Sequence, residues 1–129
     1  MNVHNKDVSP VGWYLCSYIC RFLEVDDAKQ DNLDQEFKCW ENTVLIKAES
    51  PIEAFEKTES IGLEHAEPYK GGDGGVLVQW KYEGVSNILP IYEEIEDGAE
   101  LIWTEHEAVK LSKLKDMLLP NSDAGELTN

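Results

Sequence analysis

The longest apolar stretch of the chain, residues 12–25, constrains the fold more than any other feature. It reads GWYLCSYICRFLEV, is rich in aromatic and β-branched side chains and contains no proline, which favours a long β-strand. Alternate positions of a strand point to opposite faces, and both sets are largely apolar here. We therefore expect a central strand covered on both sides. A helix is the competing interpretation, because short apolar runs are ambiguous.

The sequence Ser50-Pro51-Ile52-Glu53 is typical of the start of a helix. The Ser50 hydroxyl can accept from exposed backbone N–H groups, proline suits the first helical turn, and Glu53 can reach back to the cap. These signals predict a helix over residues 51–61. Gly62 then stands where a glycine C-cap belongs.

The remaining pattern predicts a domain of the α+β class. A polar connection at residues 26–35 leads to a second strand at 36–48. Alternation and turn residues predict later strands at 76–83, 85–91 and 99–105 and an amphipathic helix at 108–119. The order β-β-α-β-β-β-α favours a mostly antiparallel sheet of about five strands with helices packed against it.

The chain has 129 residues, which suits one domain of about 100–150 residues. We predict a single domain over residues 12–119. A disordered leader at 1–11 and a flexible tail at 120–129 would flank it.

The charge excludes two classes of partner. Twenty-six acids face eleven bases, for a formal charge of −15, and Arg21 is the single arginine. Nucleic acids and anionic membrane surfaces are held by clustered Lys and Arg, so neither is expected as a partner. The acidity itself has two explanations, solubility or a surface aimed at a basic protein.

The cysteines and the hydropathy point to the cytoplasm. No stretch approaches the roughly 18 apolar residues of a membrane helix, and the polar start is no signal peptide. Three cysteines, Cys16, Cys20 and Cys39, make a poor disulfide framework and suit a reducing compartment.

Several short motifs, in their order and spacing, resemble a bacterial family of uncharacterised proteins, domain of unknown function 4288. They are Trp13-Tyr14, Ala48-x-Ser50-x-x-Glu53-Ala54, Gly75-x-Leu77-x-x-Trp80-x-Tyr82-x-Gly84 and Glu96-Asp97-Gly98-x-Glu100. The resemblance covers roughly residues 13–104. It implies a bacterial origin and a compact α+β domain, and it brings no catalytic residues.

The motifs that could indicate metal binding, proteolysis or phosphate binding lack the residues or the spacing that those functions need. Cys16 and Cys20 on one strand would stand roughly 13 Å apart, too far for one zinc ion. His106-Glu107 lacks the second histidine of a metalloprotease helix, since Lys110 stands there. The run Gly71-Gly72-Asp73-Gly74-Gly75 leads into a strand instead of opening a helix, unlike a phosphate loop. We predict no catalytic residues, no cofactor and no metal.

An acidic, aromatic surface is the candidate site that remains. Trp anchors many protein interfaces, and acids cluster after the predicted strand at 85–91. The residues of this predicted interaction surface are Glu93, Glu94, Glu96, Asp97, Glu100, Trp80 and Trp103.

Three functional hypotheses follow. The favoured one is a non-enzymatic cytoplasmic protein-interaction domain, and one version is an immunity-type inhibitor that shields a basic partner. The second is a small-ligand-binding or enzymatic domain with a Trp-lined pocket near the loop from Gly71 to Gly75. The third is a homodimeric structural subunit paired through a strand edge.

Overall fold

The apolar run at the start of the chain forms the strand around which the protein is built. In a computed structural model, which describes residues 7–71 and 73–120, this strand is β1 (Trp13–Glu24). It lies between β2 (Cys39–Lys47) and β4 (Val76–Pro90), and β3 (Tyr69–Gly71) pairs with the start of β4. The antiparallel sheet has the order β2-β1-β4-β3. The expected long, central strand is confirmed.

One helix, α1 (Pro51–Glu64), packs on the sheet. It begins as predicted, with the Ser50 hydroxyl accepting from the Glu53 N–H at 3.1 Å. The core between helix and sheet holds the even-numbered residues of β1 and small helix residues; it consists of Tyr14, Cys16, Ile46, Ala48 and Ala54. Thr58 is also fully buried there, and its hydroxyl donates to the Ala54 carbonyl at 2.7 Å.

The C-terminal end of α1 corrects one prediction. Gly62 is not the C-cap, because α1 runs on to Glu64 and is capped at His65. Gly62 is instead buried, with Tyr82 and Tyr18 directly over it. The glycine marks a close approach of helix and sheet.

The predicted strand count is also corrected. The two strands predicted at 76–83 and 85–91 are one strand, β4, which passes irregularities of register opposite Ser17/Tyr18 and Ile19/Cys20. Gly84, which lies between the two predicted strands and would have formed a turn, is thus a bulged point within one strand. Residues 99–105 form no strand, and the short β3 was not predicted. The sheet has four strands instead of five.

The last helix is shorter than predicted and does not cover the sheet. It is α2 (Leu111–Asp116), and every residue from 100 to 120 is exposed. Of the two helices, only α1 packs against the sheet. The face of β1 opposite α1 therefore stays partly open, contrary to the expectation of cover on both sides.

Ser9, in the segment predicted as a leader, is buried and heavily bonded. Its hydroxyl donates to the Ile91 carbonyl at 2.5 Å and accepts from the backbone N–H groups of Val11 and Trp13. Its own N–H donates to the Tyr14 hydroxyl at 3.0 Å. Residues 1–6 and 121–129 of the predicted leader and tail lie outside the described residues.

Candidate functional site

An aromatic cluster lies on the helix-covered face of the sheet, beyond the point where α1 ends. The register places Trp40 and Tyr82 on either side of Cys20, and Trp80 beside Phe22. The ring centroids of Trp40 and Trp80 are 4.6 Å apart, and those of Phe22 and Trp80 are 5.1 Å apart. Gly62 of α1 lies against the Tyr82 ring, whereas the rings of Trp40, Trp80 and Phe22 pack on one another.

This cluster and the end of α1 enclose a pocket of about 230 Å³. We call it the aromatic pocket. Its lining residues are Tyr18, Cys20, Trp40, Asn42, Gly62, His65 and Trp80. Gly62 belongs to the wall because the absence of a side chain lets the sheet aromatics come close to the helix.

Trp40 is an accessible wall of the aromatic pocket, with 56% of its surface exposed. It sits on β2, an edge strand. Trp40 packs on Trp80 with an angle of 38° between the rings, and its half-exposed indole leaves apolar area uncovered that would gain from burial. The arrangement is suited to receive a group from outside.

The thiol in the aromatic pocket is unsuited to nucleophilic chemistry. Burial raises the pKa of Cys20, and the negative charge of Glu83 raises it further. Burial likewise raises the pKa of Cys16, which the Thr58 hydroxyl partly offsets. A reactive cysteine needs the opposite, a lowered pKa in an electropositive setting, so both thiols stay protonated near neutral pH.

Tyr82 lies beside the aromatic pocket with a buried hydroxyl that has no hydrogen-bond partner within the described residues. Burial raises the pKa of this phenol, and Glu59 and Cys20 raise it further.

The predicted interaction surface falls into two parts in the structure. Its five acids lie in exposed positions after β4, and Trp103 packs near Tyr92 with ring centroids 6.3 Å apart. Trp80 pairs with Phe22, whereas Pro90, beside that acidic segment, pairs with Tyr14. Tyr14 and Phe22 are eight positions apart on β1, which is about 26 Å of strand. Trp80 is thus not part of the acidic patch.

Sequence reasoning missed Trp40, Tyr18 and His65 as partners of Trp80. Only the register of β2, β1 and β4 brings the first two beside Trp80, and only the end of α1 adds His65. An excess of tryptophan in the sequence was the one available signal.

Within 7–71 and 73–120, no three His, Cys, Asp or Glu side chains come together in a way that could hold a metal ion. In that part of the chain, no helix has the length and apolar character to cross a membrane. The glycine-rich segment after β3 is a 3-10 turn, Asp73–Gly75, in which Gly74 and Gly75 are exposed and have positive φ.

Comparison with known proteins identifies one family. The model of the family described as "Domain of unknown function (DUF4288)" matches residues 13–103. The match begins at the first residue of β1 and ends at Trp103, so it contains the whole sheet, α1 and the aromatic pocket. No curated protein and no solved structure matches the chain.

Proposed function

We propose, for a chain that belongs to the DUF4288 family, the role of a non-enzymatic protein-interaction domain. It binds an extended, basic segment of a partner protein along β2, with one basic side chain of that segment in the aromatic pocket. The observation that carries this proposal is the exposed Trp40, which packs on Trp80 at the mouth of the pocket.

The edge of β2 offers a place for an extended segment. Ala48 donates to the Gly12 carbonyl, and Phe22 donates to the Lys38 carbonyl, so the even-numbered residues of β2 direct their backbone groups at β1. The odd-numbered ones direct theirs outward, as the Lys57 ammonium bonded to the Lys47 carbonyl at 2.6 Å illustrates. Free backbone groups on an edge strand can pair with a strand from a partner.

The charge favours a basic segment. The chain carries −15, and a net charge of this size attracts basic partners from a distance. A lysine or arginine over the face of a tryptophan gains about 0.5–2 kcal/mol from the ring quadrupole. Both effects attract the same class of partner, and a role as an inhibitor that shields a basic protein would use them.

The size of the aromatic pocket favours a side chain over a free ligand. Its volume of about 230 Å³ lies below the ~300–1,000 Å³ common for small-molecule sites. It is open at Trp40, so a side chain carried on a backbone at the edge of β2 can enter it.

A titration with defined peptides tests the proposal. The probes are an alternating Lys-Val octapeptide and its Glu-Val counterpart, and the signal is tryptophan fluorescence. We expect binding of the basic peptide alone, weakened by roughly thirtyfold in Trp40→Ala, as for the loss of an interface anchor. Trp103→Ala is the matched control, because this tryptophan is also exposed but lies outside the aromatic pocket, and it should bind normally.

Two results would count against the proposal. Equal binding of both peptides would remove the role of charge. Basic-peptide binding that survives Trp40→Ala and disappears with added salt would reduce the interaction to general attraction by an acidic surface.

A further inference from the structure

The aromatic rings of the aromatic pocket bear on which kind of cation it accepts. Three of its lining residues carry such rings, Tyr18, Trp40 and Trp80. Trp40 and Trp80 have ring centroids 4.6 Å apart and ring planes tilted by 38°. Tryptophan and tyrosine attract a cation that lies over the ring face within about 6 Å of its centre. The ring faces therefore attract a positive charge without providing an oxygen for it to hydrogen-bond.

The polar groups of the lining are few and none is a carboxylate. They are the side-chain groups of Tyr18, Cys20, Asn42 and His65, and no Asp or Glu is among the described residues that line the aromatic pocket. A lysine ammonium has three N–H donors and is strongly hydrated, and its strongest hydrogen bonds are made to charged acceptors. With no carboxylate in the lining, the water that a primary ammonium gives up on entry is poorly replaced.

The size of the aromatic pocket points in the same direction. Its volume is about 230 Å³, whereas a water molecule takes up about 30 Å³ of the liquid, and a bare ammonium group is of similar size. A primary ammonium would thus leave most of the pocket to water. Three methyl groups on the nitrogen enlarge the head group, remove all its N–H donors and keep its charge. The methyl groups also gain from contact with an apolar lining.

Contacts behind the lining hold the rings in place. Trp80 packs on Phe22 as well as on Trp40, with ring centroids 5.1 Å apart. Tyr18 lies beside Tyr82, with ring centroids 6.3 Å apart, and the helix glycine Gly62 lies against both tyrosines. A lining that is already ordered loses less conformational freedom when a ligand binds.

We propose that the aromatic pocket is a site for a quaternary ammonium group, such as the head of a trimethylated lysine. The inference rests on the proposed function for the origin of this group, which is the basic side chain of the partner segment along β2. Trp40 lies on that edge strand with 56% of its surface exposed, so a side chain carried along β2 reaches the rings. Methylation keeps the positive charge of lysine, so the attraction to a chain of charge −15 is retained.

Three forms of one peptide test the inference, with tryptophan fluorescence as the signal. The alternating Lys-Val octapeptide carries one central lysine that is unmodified, trimethylated, or replaced by an uncharged isostere with a quaternary carbon in place of the nitrogen. We expect the trimethylated form to bind roughly tenfold more tightly than either of the others, because only it combines charge with methyl groups. Tetramethylammonium chloride should compete with it.

Trp40→Leu separates the aromatic ring from apolar bulk. Leucine keeps an apolar side chain at the mouth of the aromatic pocket but has no ring, so the preference for the trimethylated peptide over its isostere should disappear. Trp103→Leu is the matched control, since Trp103 is also exposed and lies outside the pocket, and it should keep the tenfold preference. Circular dichroism checks that both variants remain folded.

The outcomes separate this inference from the proposed function. An isostere that binds as tightly as the trimethylated peptide would overturn the inference, because the aromatic pocket would then select apolar bulk. An unmodified peptide that binds as tightly would also overturn it, while Trp40-dependent binding of that peptide would leave the proposed function standing. Tetramethylammonium binding that Trp40→Leu removes, without binding of any peptide, would support the quaternary ammonium site with a free choline-like ligand and overturn the proposed function.

Discussion

Gly62 of α1 faces the ring of Tyr82 on β4 so closely that a Cβ on the glycine would stand 2.5 Å from the ring atoms Cδ1 and Cε1. Tyr18 Cδ2 would lie 3.2 Å from the same Cβ. The helix and the sheet are thus held at a distance that only glycine permits, and Gly62 and Tyr18 both line the aromatic pocket.

Gly62→Ala tests this contact, because two effects of the substitution change the free energy of unfolding in opposite directions. Inside a helix, the change from glycine to alanine stabilises by about 0.5–1 kcal/mol. The clash with Tyr82 costs about 1–3 kcal/mol, so we expect net destabilisation in urea unfolding. Ser60→Ala, at an exposed position of the same helix, should be neutral or slightly stabilising. Stabilisation by Gly62→Ala would show that the Tyr82 ring moves aside freely.

Tyr82→Phe removes the buried, unpartnered hydroxyl and keeps the ring. A buried hydroxyl without a partner costs about 1–3 kcal/mol, so we expect the variant to be as stable as the wild type or more stable by about 1 kcal/mol. Tyr14→Phe is the matched control, because the Tyr14 hydroxyl accepts from the Ser9 N–H, and its loss should destabilise. If Tyr82→Phe were the more damaging change, a water molecule would have to satisfy its hydroxyl.

Ser9→Ala should destabilise the fold although residue 9 lies ahead of the first strand. The Ser9 hydroxyl serves the Ile91 carbonyl and the N–H groups of Val11 and Trp13. Its removal leaves these groups short of partners, at a cost of about 1–3 kcal/mol. Ser112→Ala, on exposed α2, should have no effect. Equal thermal midpoints for the two variants would contradict the prediction.

Arg21→Lys should loosen the connection between β1 and β2. The Arg21 guanidinium pairs with Glu83 at 2.8 Å, donates to the Gln30 carbonyl and lies 4.5 Å over the Phe37 ring. Lysine keeps the charge but not the planar fork, so we expect faster cleavage at Glu36 by a glutamyl protease. Lys38→Arg, an exposed change near the same site, is the control. Identical cleavage rates would show that hydrogen bonds other than those of Arg21 hold the connection between β1 and β2 in place.

The three cysteines should differ in reactivity toward a thiol reagent at pH 8. Cys39 is exposed, whereas Cys16 and Cys20 are buried with raised pKa values. We expect one fast and two slow reactions, with the fast one absent in Cys39→Ser. Rapid labelling of Cys20 would show that the aromatic pocket opens.

The same pKa shifts predict how the free energy of unfolding changes with pH. The folded chain holds the protons of Cys16, Cys20, Tyr18 and Tyr82 more tightly than the unfolded chain, since burial raises all four pKa values. Well below the ordinary thiol pKa of about 8.5, these groups are protonated in both states and do not change the free energy of unfolding. As the pH rises above that value, the unfolded chain loses these protons more readily, so the free energy of unfolding falls. Urea unfolding at pH 7 and pH 9.5 measures the difference, and an increase at pH 9.5 would contradict it.

Local signals in the sequence determined β1, the start of α1 and the α+β class. An apolar run with β-branched residues and a serine cap act over neighbouring positions, so both are readable without the fold. Local signals gave the wrong role for two glycines. Gly84 has the composition of a turn but lies within β4, which pairs with β1 on both sides of it. Gly62 is typical of a helix end but lies inside α1, against the ring of Tyr82.

Tertiary structure alone decided how the aromatic pocket is assembled and that the C-terminal segment is left exposed. Trp40 and Trp80 are forty residues apart in the sequence and meet because both strands pair with β1. The apolar pattern of residues 108–119 predicted a packed helix, yet these residues are exposed. An amphipathic pattern states that a segment has an apolar face to bury; only the arrangement of the other elements decides whether the chain itself provides the surface that buries it.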